Sequence, residues 1–243
     1  MPADALPDLT VYDAVLFDLD GVITPTAEVH MHAWRTMFEE LFGAWGLEPA
    51  YTNRDYFDHL DGKKRYDGVA SLLHSRDVEV PWGDPGDPPE TDTVCGIGNR
   101  KNEVFSRVLR TEGIQPYPGS VALLDVLAAA GTPVAIVSSS KNADEVLQVA
   151  GIRDRFPVVM DGVIAERDHL ASKPAPDVFV EAAKLLHVDP ARSAAVEDAI
   201  SGVKSAATGG FGLVVGVDRG VGAEDLRAAG AHIVVADLEE LVR

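Results

Sequence analysis

Hydrophobic positions along this chain fall into two patterns. Val11 to Leu19 is a largely apolar run, rich in strand formers, that ends in Asp20-Gly21. Such a run predicts a buried strand near the centre of a sheet. A second run, Pro133–Val137, stands just before Ser138-Ser139-Ser140, and shorter ones follow at Pro157–Met160, Ser193–Val196, Leu213–Val217 and His232–Val235. Between them apolar residues recur at helical spacing. Val121, Leu124 and Leu127 precede Gly131; Val146 and Val149 precede Gly151; Phe179, Ala182, Ala183 and Leu186 precede Asp189-Pro190. Strands alternating with helices of this length predict an α/β fold, a doubly wound, Rossmann-like and mostly parallel sheet.

From Thr26 to Glu112 the alternation stops. Trp34, Phe38, Leu41 and Phe42 form one helical stripe, Tyr66, Val69, Leu72 and Leu73 another, and Val104, Val108 and Leu109 a third. No strand-like run separates them, so the predicted organisation is a core built from 1–25 and 114–243 with a helical module inserted at 26–113. The Pro/Gly/Asp-rich stretch Pro81–Glu90 must be a loop inside that insertion.

Composition narrows the function without naming it. An apolar share of 46% with 25% charged residues is a globular balance able to bury a sizeable core. The net charge of −18 argues against a polyanionic partner such as nucleic acid. A small phosphorylated ligand remains compatible, because a bound cation and a few local basic residues set the sign inside a pocket. Cys95 is the single cysteine, so no intrachain disulfide can form and a reducing cytoplasm is the expected compartment. No leader segment is visible at residues 1–10, and no apolar run is long enough to span a membrane.

The candidate chemistry stands where strands end. In open α/β sheets, ligands bind beyond the carboxyl ends of the strands. The first run ends in Asp18-Leu19-Asp20-Gly21 and the second in Ser138-Ser139. A later loop holds Lys173 in Ala171-Ser172-Lys173-Pro174, and Ser193–Val196 leads into Glu197-Asp198. Taken singly, each is an ordinary cap, turn or surface residue. Together they match one physical need. A phosphate monoester repels an attacking carboxylate, so positive charge must come first, and Mg²⁺ takes oxygen ligands and substrate phosphate alike. Asp18, one of Glu197 and Asp198, and the carbonyl of Asp20 are the expected ligands. Asp18 would attack phosphorus, Asp20 would protonate the leaving oxygen, and Lys173 and Ser138 would hold the phosphoryl oxygens. A turn is expected near Asp20, to bring Asp18 and Asp20 both into use.

At these residues the chain resembles the haloacid dehalogenase superfamily, and within it the β-phosphoglucomutases. Phe17-Asp18-Leu19-Asp20-Gly21-Val22-Ile23-Thr24, with Thr26-Ala27-Glu28 and His30, is close to their first motif. Ser138-x-Ser140-Lys141-Asn142 resembles the second, Ala171–Asp177 the Lys motif, and Glu197-Asp198 the metal motif. The resemblance spans nearly the whole chain. It implies that the inserted helices are a cap over the substrate, that Thr26 lies in the hinge and that His30 stands near Asp20. It further implies that Arg65 holds the non-transferring phosphate, that Lys101 and Asn102 touch the sugar phosphate, and that Ser139, Ser140, Lys141 and Asn142 line the site. Four features depart from the pattern. Asp61 falls at a substrate-contacting Lys, with Lys63 and Lys64 adjacent; Pro25 replaces a hinge Asp; Ala199 replaces a Ser; and the cap is longer through Pro81–Glu90.

What the resemblance implies is a Mg²⁺-dependent isomerase that converts β-D-glucose 1-phosphate to D-glucose 6-phosphate, with glucose 1,6-bisphosphate as intermediate and activator. A sugar-phosphate phosphatase on the same scaffold is the second reading, and a non-catalytic sugar-phosphate sensor a third. The expected partner is a small sugar phosphate, with neither nucleic acid nor membrane, and the expected state is a monomer.

Overall fold

The computed structural model describes residues 6–60, 63 and 65–242. Val15–Phe17 (β1), Val134–Val137 (β2), Val158–Met160 (β3), Ala194–Glu197 (β4), Leu213–Val217 (β5) and Ile233–Val235 (β6) pair into one sheet. Their order is β3-β2-β1-β4-β5-β6, and every pairing is parallel. The chain runs outward from β1 to β3, then returns to the other side of β1 with β4. That reversal between β1 and β4 is the point at which doubly wound sheets open a crevice for ligands. In register, Val15 faces Val134 on one side and Ala194 on the other. Val15, Leu16 and Phe17 are fully buried, so both faces of the central strand are covered.

The helices are Thr26–Trp45 (α1), Asn53–Asp55 (α2), Arg65–His74 (α3), Val94–Glu112 (α4), Pro118–Ala130 (α5), Ala143–Val149 (α6), Gly162–Arg167 (α7), Asp177–Leu185 (α8), Ile200–Thr208 (α9) and Ala223–Ala229 (α10). Phe179, Ala182 and Ala183 of α8 and Val203 of α9 pack with Phe211 against Leu16, Ala135, Val137, Ala195 and Val214. Local signals set the helix ends. Pro118 opens α5, where its missing N–H costs nothing, and Gly131 closes it in the left-handed region at φ 72°. The apolar run from Val11 is strand only in part. Leu9–Val11 forms a 3-10 turn capped by Asp8, which accepts the Thr10 N–H at 2.9 Å, and Val11 is 74% exposed. Hydrophobicity alone does not register that cap, which is why the run reads longer than the strand it contains.

The chain divides into two compact units, Met1–Thr26 with Ile114–Arg243, and Ala27–Gly113. The first holds the sheet. The second holds most of α1 together with α2, α3 and α4, and contains no strand among its described residues. Within it α1 buries Trp34, Phe38, Leu41 and Phe42, and Phe38 stacks on both Trp34 and Tyr51. Polar side chains of α4 pin the Pro81–Glu90 loop. Asn99 donates to the carbonyls of Pro85 (3.0 Å) and Asp87 (2.9 Å), and Arg100 donates to that of Pro89 (2.7 Å). No helix of the described residues is long and apolar enough to cross a membrane.

One ion pair inside the second unit is buried. Arg76 reaches Asp55 at 2.7 Å, with both side chains about one-tenth exposed. Burial alone would raise the Asp55 carboxyl, but the Thr52 N–H, Arg76 and the Thr52 hydroxyl together hold it below the usual range. A carboxyl depressed on folding contributes stability above its unfolded pKa of about 3.9, and that contribution fades as pH falls through the folded value. Arg76→Met is therefore expected to cost about 3 kcal/mol at pH 7, because it strands a buried charge. The gap from the parent chain should narrow as pH falls below the unfolded value of about 3.9 and on through the lowered folded one. Denaturant titrations at pH 7 and through that acid range check this, and coincident midpoints at pH 7 would refute it.

Candidate active site

The site begins with a turn at the end of β1. Asp18 continues the strand, its N–H donating to the Val196 carbonyl of β4 at 2.9 Å. The chain then folds back. The N–H groups of Ile23 and Thr24 reach the Leu19 carbonyl at 2.9 and 3.0 Å, and Gly21 N–H reaches the Thr24 carbonyl at 2.8 Å. Gly21 takes φ +78°, a conformation that favours glycine, and a Cβ there would lie 1.9 Å from Asp198 Oδ2. So Gly21 does two things: it allows the turn and it admits the Asp198 carboxylate beside the backbone. The turn carries Asp20 off the line of β1.

Lys173 ties the cluster together. Its ammonium donates to Asp18 Oδ1 at 2.5 Å, Glu197 Oε1 at 2.6 Å and the Val137 carbonyl at 2.6 Å, which uses all three of its protons. Burial pulls the lysine pKa down, but Asp18 and Glu197 more than reverse this and hold it above the ordinary range. Burial pushes the Asp18 carboxyl well up; Lys173 opposes this, while Glu197, Asp20 and Asp198 add to it. Asp20 has different company. Thr26 Oγ1 donates to its Oδ1, and Ser138 Oγ approaches its Oδ2 at 3.4 Å. Burial raises its pKa, against the hydrogen bonds and Lys173.

Four carboxylates, of Asp18, Asp20, Glu197 and Asp198, thus act on one another around one ammonium. Burial, Glu197 and Asp20 push Asp198 up to about 7. This excess of negative oxygen fits a hard divalent cation. Glu197 has both oxygens engaged, Oε1 by Lys173 and Oε2 by the N–H groups of Asp198 and Ala199 at 3.1 Å each. A Cβ at Gly202 of α9 would strike that carboxylate at 1.7 Å, so glycine there makes its room. Of the two acids expected to bind metal, Glu197 therefore anchors Lys173 and the β4 loop, and Asp198 is the better placed ligand. Among the described residues no three acidic, His or Cys side chains form a ready metal cage. Asp18, Asp198 and the Asp20 carbonyl suit Mg²⁺, which binds through one or two carboxylates and keeps sites for water and phosphate.

The second motif divides. Ser138 is buried and its Oγ accepts the Ser140 N–H at 3.0 Å, while Ser139 is exposed. Ser140 Oγ accepts the Asn142 N–H at 3.1 Å. Lys141 commits its ammonium to Glu166 at 2.5 Å, a residue of α7 outside the carboxylate cluster.

In the inserted unit a second polar group assembles. Lys101, buried within α4, donates to His30 Nδ1 at 2.6 Å, and its ammonium lies 5.1 Å from the Trp34 ring and 4.8 Å from the Phe105 ring. His30 stacks on Phe105 with centroids 4.3 Å apart. Burial, then Lys101 and Arg65, depress the His30 pKa well below its usual value. Accepting an ammonium at Nδ1 is a part that a neutral imidazole plays. Arg65, at the start of α3, donates to Asn102 Oδ1 at 2.8 Å. The four expected residues His30, Arg65, Lys101 and Asn102 thus form one neighbourhood, and sequence reading missed Trp34 and Phe105 as its aromatic walls. Spacing hid them, since both fall on apolar stripes that core packing explains. Asp61 and Lys64 lie outside the described residues, and Lys63 donates to Ser71 Oγ at 2.7 Å.

A family model described as haloacid dehalogenase-like hydrolase matches residues 12–210. A Mycobacterium tuberculosis protein named β-phosphoglucomutase is 46% identical over 239 residues, covering 94% of this chain and 91% of its own length. The fold is similar to a crystal structure of β-phosphoglucomutase from Clostridium difficile, with 26% identity, TM-score 0.71 and coverage of 95% and 93%. It is also similar to CbbY from Rhodobacter sphaeroides in complex with xylulose-(1,5)bisphosphate, with 25% identity, TM-score 0.69 and coverage of 95% and 96%.

Proposed function

Because this chain belongs to the haloacid dehalogenase-like hydrolase family, we propose that it transfers phosphoryl groups through an aspartyl phosphate on Asp18 and interconverts β-D-glucose 1-phosphate and D-glucose 6-phosphate. The observation that carries the chemistry is the unequal company of two neighbouring carboxylates. Asp18 is paired with the Lys173 ammonium, which favours its ionised, nucleophilic form. Asp20 is held instead by the Thr26 and Ser138 hydroxyls, which leaves it as the carboxyl to carry the proton. In the first half-reaction an Asp18 oxygen bonds to phosphorus as the phosphorus–oxygen ester bond breaks, and Asp20 gives its proton to the departing sugar oxygen. In the second, a sugar hydroxyl attacks the aspartyl phosphate, Asp20 takes its proton, and the Asp18 carboxylate is released. Lys173 stabilises the Asp18 carboxylate, and Ser138 keeps Asp20 aimed. Asp18, Asp198 and the Asp20 carbonyl would hold Mg²⁺, which would supply the positive charge that lets a carboxylate meet a phosphate dianion.

The choice of sugar acceptor over water rests on the 46% identical relative named β-phosphoglucomutase. Glucose 1,6-bisphosphate is then the activator that primes Asp18. A phosphatase reading has its own support in the family model, which is described as a hydrolase. One assay separates them. With β-glucose 1-phosphate, Mg²⁺ and a trace of glucose 1,6-bisphosphate, the mutase predicts glucose 6-phosphate far in excess of free phosphate. Free phosphate in excess would make the chain a phosphatase.

In this reading Arg65 holds the phosphate that is not being transferred, since a bisphosphate needs a second anchor. Its guanidinium is largely buried, its pKa lowered by that burial, and it donates to Asn102. Arg65→Ala should weaken kcat/KM for sugar phosphates by roughly 30-fold, the equivalent of about 2 kcal/mol for a lost charge-assisted hydrogen bond. A minimal aryl phosphate, with no distal phosphate, should be turned over within about twofold of the parent rate. Equal losses on both substrates would remove Arg65 from this role.

A further inference from the structure

The turn that carries Asp20 presents consecutive carbonyls of Gly21, Val22 and Ile23, and each receives a donor from elsewhere in the first unit. Arg219 Nε donates to Gly21 at 2.8 Å, Ser120 Oγ to Val22 at 2.6 Å, and Tyr117 N–H to Ile23 at 2.9 Å. Ser120 lies in α5 and Tyr117 is its N-cap residue, so two of the donors share one element. Arg219 comes from the loop that leaves β5. Its guanidinium carbon sits 3.9 Å from the Tyr117 ring centroid, close enough for stacking. Its Nη1 approaches the Ala236 carbonyl at 3.3 Å and Asp237 at 3.4 Å. One planar group thus joins the catalytic turn, the start of α5 and the segment after β6. Its Nη2 is buried with no partner among the described residues. A buried donor left unmet costs stability, and such a cost persists where the surrounding contacts fix the group for another purpose.

We propose that Arg219 is a positioning residue for the general acid: by holding the Gly21 carbonyl it fixes the turn from which Asp20 reaches the leaving oxygen. The contacts suit that task. Asp20 sits one residue before the carbonyl that Arg219 holds, and four residues before Thr24, with which it forms a β-bridge. Releasing the Gly21 carbonyl would free the Gly21–Val22 peptide, and with it the turn whose closure by Gly21 N–H on the Thr24 carbonyl sets where Asp20 points. The nucleophile stands further back, on the strand side of the turn, with its own bond to Val196. Loss of Arg219 should therefore reach proton delivery before it reaches attack. The inference rests on the reading of Asp20 as the acid, and its test tells failure of one from failure of the other.

The experiment uses two substrates that differ in their need for a proton. A sugar phosphate leaves as an alkoxide and needs the acid; p-nitrophenyl phosphate leaves as a stable phenolate and does not. Arg219→Met should lower kcat for β-glucose 1-phosphate on the order of 10²-fold, as a misplaced catalytic group does. KM should stay within about threefold, and p-nitrophenyl phosphate turnover should fall only about threefold. Arg219→Lys, which keeps the charge but loses the planar Nε donor, should show the same selectivity, and it carries the test if the Met variant does not fold. Equal losses on both substrates, or no loss on either, would overturn the proposal. Asp20→Ala run alongside supplies the control. If it shows no preference for the activated substrate, the acid assignment itself fails; if it does and Arg219→Lys does not, only the positioning role fails.

Discussion

Replacing Asp18 with Asn is expected to abolish turnover, by a factor on the order of 10⁴ or more, while leaving the fold intact or slightly firmer. The kinetic part follows from the role: an amide oxygen cannot form the phosphoryl bond that the cycle requires. The stability part follows from the electrostatics. Burial and the neighbouring carboxylates of Glu197, Asp20 and Asp198 raise the Asp18 pKa against the pull of Lys173, so its ionised form is held at a cost. A carboxyl whose pKa is raised on folding weakens the fold at pH values where it must ionise. Asn removes that burden, and Lys173 keeps Glu197 and the Val137 carbonyl as partners. A thermal melt no lower than that of the parent chain, with activity gone, is the predicted pair of results. Residual turnover within a hundredfold would remove Asp18 from the nucleophile role.

Lys173→Met should act almost as strongly, by a different route. All three ammonium protons are committed, two to carboxylates and one to a buried carbonyl. Methionine fills the stem but leaves these acceptors facing each other. The rate should fall on the order of 10³-fold, the loss expected when a preorganised charge at a phosphoryl site is removed. Lys173 is also the group that lowers the Asp18 pKa, so without it the residual activity should need a higher pH. The lysine itself does not titrate in this range, since its folded pKa is raised and its contribution persists up to alkaline pH. A pH–rate profile of the variant with saturating Mg²⁺ checks both points. An unshifted acidic limb would mean that Asp18 does not depend on Lys173.

Much of this arrangement is legible in the sequence because strand exits are. An apolar run followed by Asp18-Leu19-Asp20-Gly21, and another followed by Glu197-Asp198, places charge where a doubly wound sheet opens. The six strands follow from the same runs, with β1 shortened by the Asp8 cap. Other features have no linear signal. Lys173 lies 155 positions from Asp18, and only the sheet order brings them to one point. Arg219 also stands at a strand exit, after β5, but a lone Arg beside Gly220 reads as a loop charge until the Gly21 carbonyl is seen beneath it. Helices α9 and α10 offer few large apolar residues, because they are rich in small ones. In α9 that smallness is imposed: Gly202 must leave space for the Glu197 carboxylate. Trp34 and Phe105 show the opposite problem, since the stripe that identifies their helices conceals their contact with Lys101.

The central claim is that Asp18 carries the phosphoryl group and hands it to a sugar. Incubating the chain with Mg²⁺ and glucose 1,6-bisphosphate labelled in its phosphoryl groups, quenching in acid within milliseconds and mapping the labelled peptide tests it directly. The account predicts label on the peptide containing Asp18, and a chase with unlabelled β-glucose 1-phosphate that moves it to sugar bisphosphate faster than to free phosphate. Label on another residue, or no covalent label during active turnover, would contradict the account.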